Sequence, residues 1–172
     1  MKKVASLTAA LLLLFPATAS ASEKGWRYWG YFQSAPNKSQ WVTAMTGPTV
    51  QLRDGAVEGW RFTFSNDSIA AAPPRVAPNF KQICSGVPSK SGFIRVGVVI
   101  DYGVPALAPE GELTPNNSTK CVVVAKRANG LDVLKKVVLI RQSSQGFVCA
   151  LKKYPARECS AEVVITPEQL KK

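Results

Sequence analysis

Apolar and polar positions alternate at several places along this 172-residue chain, and each alternation predicts a strand. In residues 25–32, GWRYWGYF, one side carries Trp26, Tyr28, Gly30 and Phe32 and the other Arg27, Trp29 and Tyr31. Both sides are largely aromatic. Such a strand belongs inside a sheet covered on each face, or on a sheet whose second face receives something from outside. In residues 48–64, PTVQLRDGAVEGWRFTF, the Asp54-Gly55 pair between two extended runs predicts a hairpin, because both residues tolerate positive φ. On its outgoing strand Glu58, Trp60, Phe62 and Phe64 point one way and Val57, Gly59, Arg61 and Thr63 the other.

Residues 65–78, with Asn66, Asp67, Ser68 and then Pro73-Pro74 and Pro78, read as a loop leaving the sheet. Asn79 then caps a short helix with Phe80, Ile83 and Cys84 inward. Residues 93–101, FIRVGVVID, are apolar enough for a central strand, and a Pro, Gly and Asn-rich connection follows. Beyond it the pattern predicts a strand over 121–125, a short helix from Gly130 with Leu131 and Leu134 on one face, and two strands, 137–141 and 146–151, around Ser143-Ser144-Gln145. The fold class is α+β: a mostly antiparallel sheet with few short helices, in two small halves. The boundaries are 22–103 for an aromatic-rich β half, 104–119 for the connection and 120–172 for a basic α+β half.

The N-terminus changes the picture of where the chain works. Lys2 and Lys3, the apolar run over 7–15 and Ala19-Ser20-Ala21 read as an export signal cleaved near Ala21. The apolar run is shorter than the roughly 20 residues that span a bilayer, so no transmembrane anchor is expected. The expected location is secreted or extracytoplasmic, at the cell envelope. Four cysteines, Cys84, Cys121, Cys149 and Cys159, then read as two disulfides that brace the domain. Zinc is the competing use of four thiols, but the chain has no histidine and no C-x-x-C, so no metal is expected. Three pairings exist. Cys149 with Cys159 closes a small loop around the turn at Tyr154-Pro155, leaving Cys84 with Cys121.

Charge is uneven. Residues 22–119 carry nine Lys/Arg against seven Asp/Glu, and residues 120–172 carry eleven against four. A basic surface outside the cell favours anionic envelope polymers as partners, or simply keeps the protein soluble. Nucleic acid is not expected, since no recognition motif accompanies the charge.

The absence of histidine excludes Ser-His-Asp and Cys-His catalysis. No phosphate-cradling glycine motif occurs, and no cofactor is expected. Paired carboxylates remain the one enzymatic idea, a hydrolase of cell-wall sugars using Asp54, Glu58 and Asp101 beside sugar-stacking aromatics. A non-catalytic binding role is favoured, because ligand sites are commonly aromatic-lined with a few orienting polar groups. Trp29, Tyr31, Glu58, Trp60 and Arg61 are the candidate ligand-binding residues. The competing use of Trp26, Trp29, Trp41 and Trp60 is to fill the core.

The run Trp26-Arg27-Tyr28-Trp29, then Trp41, Gly47-Pro48, Asp54-Gly55, Val57-Glu58-Gly59-Trp60-Arg61-Phe62, Pro73-Pro74-Arg75, Phe80, Ile83-Cys84 and Val99-Ile100-Asp101 resembles a family of actinobacterial exported proteins of unknown function. VEGWRF is its most specific part. Members of that family are often encoded beside energy-coupling-factor vitamin transporters, so the resemblance implies a small-molecule ligand or an envelope transporter component as partner. Two departures stand out: the C-terminal anchor that many members show is not expected here, and Lys152-Lys153 stand where relatives tend to have a glycine turn. Within residues 120–160, the helix around Leu131 and Leu134 and the strand ending Gly146-Phe147-Val148-Cys149 are similar to the small β-grasp-like lid domain of cobalamin carriers.

Overall fold

The computed structural model describes residues 21–171. The export signal, all but its last residue, lies outside them. The described chain is α+β and mostly antiparallel. In order, its elements are β1 (Glu23–Ser34), β2 (Val42–Thr43), β3 (Val57–Ser65), α1 (Phe80–Ile83), β4 (Phe93–Asp101), a 3-10 turn (Pro105–Leu107), β5 (Ser118–Ala125), α2 (Gly130–Val137), β6 (Ile140–Gln142), β7 (Val148–Leu151), β8 (Ala161–Ile165) and a 3-10 turn (Gln169–Lys171).

One sheet runs β2-β1-β3-β4-β5, with β8 joining the same edge of β1 as β2; β6 and β7 form a separate ribbon. Strands from before and after the 104–119 connection share this sheet. The strand read from GWRYWGYF is longer than the aromatic run. Its twelve residues pair with β3 over nine positions, from Trp26 opposite Ser65 to Ser34 opposite Val57.

The hairpin expected over residues 48–64 does not form. Asp54-Gly55 makes a turn, with Gly55 at φ 93°, but the incoming run never pairs with β3. Gln51 bridges Asn129 and the Leu52 amide donates to Ala128, while β3 lies between β1 and β4. The reason is local. The Asp54 carboxylate accepts the Arg95 amide at 2.7 Å and the Arg95 guanidinium at 2.9 Å, and the Gly55 amide donates to the Arg95 carbonyl. These contacts tie the turn to β4 rather than closing it on itself. β3 and β4 run parallel, so a long crossover, residues 66–92 with α1, connects them.

β3 is buried on both faces from Val57 to Phe64, as a central strand must be. The front face carries Trp29, Trp60, Phe62, Val96, Val98 and Ile100, covered by Val133 and Leu134 of α2, Leu151 of β7, and Tyr154. Asn129 and Asp132 form a reciprocal capping box at the start of α2, which fixes its entry onto that face. The back face carries Phe32, Gly59, Arg61, Val99 and Asp101 and is covered by Trp41, Pro74 and α1. An added Cβ at Gly59 would sit 2.6 Å from the Trp41 ring, so a side chain there would force that indole away from β3. Asn79 caps α1 as expected, its side chain accepting the Gln82 amide.

Both disulfides take the pairing read from the sequence. Cys84–Cys121 ties α1 to β5 on the back, and Cys149–Cys159 ties β7 to the approach of β8. Among the described residues no helix is long and apolar enough to cross a membrane. The disulfides are compatible with an extracytoplasmic protein.

Candidate functional site

The outer edge of β1 is only partly covered. β8 pairs with Glu23 to Arg27 and β2 with Phe32 and Gln33, which leaves Tyr28, Trp29 and Gly30 without a strand partner on that edge among the described residues. A cleft of about 610 Å³ opens beside this gap. Tyr31 and Trp60 line it together with the 46–49 loop, Leu131 of α2, the β6–β7 turn and Cys159-Ser160. No Asp, Glu, Lys or Arg is among the lining residues, in a chain of net charge +11.

The aromatic part follows from register. Tyr31 and Trp60 are opposite each other across the β1–β3 ladder and therefore on one face. Their rings stack with centroids 4.5 Å apart and 21° between planes. Trp29, two residues back on the same face, turns its indole into the core, edge-on to Tyr102 at 5.2 Å, and donates Nε1–H to the Tyr154 carbonyl at 3.1 Å. It contributes a wall of the cleft while serving as core. The Trp60 Nε1–H, by contrast, is buried with no acceptor.

Behind this pair lies Glu58, opposite Gln33 and 1% exposed. The Tyr31 hydroxyl donates to Glu58 Oε2, and Gln33 Nε2 donates to the Tyr31 oxygen at 2.8 Å and to Glu58 Oε1 at 3.3 Å. No Lys or Arg among the described residues forms an ion pair with it. Burial therefore prevails over the two hydrogen bonds and pushes the carboxyl up to about 7. Burial, and then the neighbouring Glu58, push the Tyr31 phenol far above its ordinary range. Gly130, the first residue of α2, packs onto this cluster; an added Cβ would sit 2.6 Å from both Glu58 Oε2 and the Tyr31 oxygen.

Arg61 does not share this environment. One residue after Trp60, it points to the back face, where Nη1 donates to Pro73 at 2.6 Å and Nε lies 3.8 Å from Asp101. Asp101 accepts the Arg75 guanidinium at 2.6 and 2.9 Å, the Arg75 amide at 2.9 Å and the Gly103 amide at 2.9 Å. Burial acts to raise its pKa, but these donors and the Arg61 charge outweigh it and hold it below the ordinary 3.8. Asp54 is exposed and held low chiefly by its hydrogen bond from Arg95. The three carboxylates considered for sugar hydrolysis thus occupy a turn, the front face and the back face, each with its own partners. Among the described residues no group of three or more His, Cys, Asp or Glu side chains could hold a metal ion.

The four tryptophans divide accordingly: Trp29 in the core, Trp60 under the cleft, Trp41 on the back with its Nε1 donating to Val76, and Trp26 half exposed. The cleft walls that the sequence reading did not single out for binding are Tyr28, Thr46 to Thr49, Leu131, Gln142, Gln145 to Val148, Cys159 and Ser160. Gly47-Pro48 and Gly146, at φ 86°, mark the turns that bring two of these walls in. These walls come from segments far apart in the chain, and no local pattern announces their convergence on β1. No curated protein and no solved structure matches the chain. A family model for the SCO2322-like domain matches residues 21–164, and the chain belongs to that family.

Proposed function

We propose that the protein is an exported, non-catalytic binding protein of the cell envelope that captures an uncharged small molecule in the cleft over Tyr31 and Trp60. The observation that carries this reading is the neutrality of an aromatic-floored cleft on a strongly basic chain. Its volume, about 610 Å³, falls within the range of small-molecule sites, and the partly exposed Tyr31 ring, backed by the buried Trp60, offers an aromatic surface to a guest. The buried Trp60 N–H adds an unmet donor beside it. The bound solute is of vitamin type and is passed to an envelope transporter component, a role supported by the sequence resemblance.

Tryptophan emission tests the reading, since Trp60 and Trp29 both border the cleft. Titration with uncharged ring compounds, corrinoids included, shifts or quenches the emission of the mature protein. Phe147, 69% exposed at the rim, can be changed without loss of fold. Phe147→Asp places a charge at the mouth and weakens the response by about tenfold, the equivalent of a modest desolvation cost. Indifference of the wild-type emission to every compound in the panel overturns the proposal.

A further inference from the structure

The free edge of β1 supplies more than an aromatic wall. In an extended strand, successive residues direct their amide and carbonyl groups to opposite edges. Two hydrogen bonds fix which residues of β1 face outward. The Tyr31 carbonyl accepts the Ala44 amide at 3.0 Å on the outer edge, and the Lys24 carbonyl accepts Asn66 Nδ2 at 3.1 Å on the β3 side. Odd-numbered residues therefore present N–H and C=O outward, and even-numbered residues bond to β3. Trp29 lies in the gap, two residues beyond the last partner of β8 and two short of Tyr31. Its main-chain donor and acceptor face that edge, where Trp29 is 6% exposed and borders the cleft, and no strand pairs with them among the described residues.

The flanking strands define what fits. β2 and β8 both run antiparallel to β1, so they point the same way along its edge. Ala44 stands opposite Tyr31 and Ala161 opposite Arg27, leaving three positions, opposite Gly30, Trp29 and Tyr28. At roughly 3.3 Å per residue that is room for about three residues of extended chain. A residue opposite Trp29 exchanges both main-chain bonds with it and carries its side chain on the face of Trp29 and Tyr31, the face on which the cleft opens. The lining of that cleft is uncharged, which excludes a charged central side chain.

We infer that the guest is a short uncharged peptide that adds to β1 as a third segment between β2 and β8, with an apolar or aromatic central side chain in the cleft. The binding mode is strand addition: main-chain bonds to Trp29 supply the attachment and the aromatic cleft supplies the selectivity. Both ends of the gap are closed by the protein's own chain, at Ala44 and at Ser160-Ala161, which is why a short guest is favoured over a long one. The inference rests on the cleft being a binding site and puts a short peptide in place of a vitamin-type solute as what it takes.

Calorimetry with three capped peptides tests it on the mature protein: acetyl-Ala-Phe-Ala-amide, the same peptide N-methylated at Phe, and acetyl-Ala-Asp-Ala-amide. The first binds; N-methylation, which removes the donor to Trp29, weakens it about tenfold or more, and Asp at the centre does the same. Hydrogen exchange of the Trp29 amide slows when the first peptide is bound, while the Tyr28 and Gly30 amides, facing β3, do not change. Equal binding of the methylated and unmethylated peptides, or no protection at Trp29, overturns strand addition and leaves the cleft as a site. Binding of uncharged ring compounds with no binding of any peptide does the same. Silence from both classes of probe overturns the inference and the proposed function together.

Discussion

The two faces of one sheet each bury an acid, and they treat it in opposite ways. On the back, Asp101 meets two arginines and two main-chain amides, so it stays ionised and locks the loop of residues 66–78 against β4. On the front, Glu58 has neither a cation nor a main-chain donor among its contacts, only the hydroxyl of Tyr31 and the amide of Gln33, so burial pushes it to about 7. The residue types are nearly the same and the burial is the same, 1% exposure each. Partners decide the charge. The back face is a brace closed by ion pairs, and the front face holds its acid without a counter-ion behind an open cleft.

The largest expected effect breaks the brace. Asp101→Asn leaves Arg61 buried and Arg75 half buried without their counter-charge, and urea denaturation is expected to show a loss of about 3–5 kcal/mol. The cleft, on the other face, keeps its response to added guests. A loss under 1 kcal/mol would mean that solvent already compensates the arginines.

Next in size is the pH dependence of the front face. Glu58 in the folded chain holds its proton from the ordinary 4.5 up to about 7, where the unfolded chain has released it. Its contribution is therefore fully present below about 4.5 and is lost as pH rises through 7, by on the order of 3 kcal/mol in all. Asp101 works in reverse, contributing above 3.8 and losing its contribution as pH falls through its lowered value. Glu58→Gln should flatten the decline between pH 5 and pH 8 in denaturant midpoints, leaving the acid limb to Asp101. An unchanged decline in the variant would assign it elsewhere.

The smallest effect sharpens the comparison further. Tyr31→Phe removes one donor to Glu58 and keeps the ring stacked on Trp60, for a cost of about 1–2 kcal/mol. The Glu58 midpoint then rises, because that hydrogen bond favours the ionised form. Combined with Asp101→Asn, the two losses add, since the sites lie on opposite faces and share no partner.

Much of this was readable before any coordinates. Period-two alternation located β1, β3 and β4, and it already separated Trp60 from Arg61 by one residue and therefore by one face. Grouping Arg61 with the aromatics as a ligand set ran against that pattern, and its guanidinium serves Asp101 and Pro73 instead. Loop closure gave the Cys149–Cys159 pairing. Partner choice was not readable. Asp54-Gly55 has hairpin chemistry, yet Arg95, 41 residues away, claims the carboxylate and turns the strand toward β1 and β4. The return of β8 to the start of β1, and with it the gap that bounds the cleft, is set by pairing across more than 130 residues. Short-range periodicity has no term for such a contact.

The contrast between the two faces rests on Glu58 keeping its proton to a higher pH than Asp101 does. Carbon-13 NMR of the side-chain carboxyls, titrated from pH 2 to pH 9 in the folded mature protein, reads both acids at once. The expected result is a Glu58 midpoint near 7 and an Asp101 midpoint below 3.8. A Glu58 midpoint at or below 4.5 would leave that carboxylate fully ionised at neutral pH, where the account has it about half protonated, and would contradict the account.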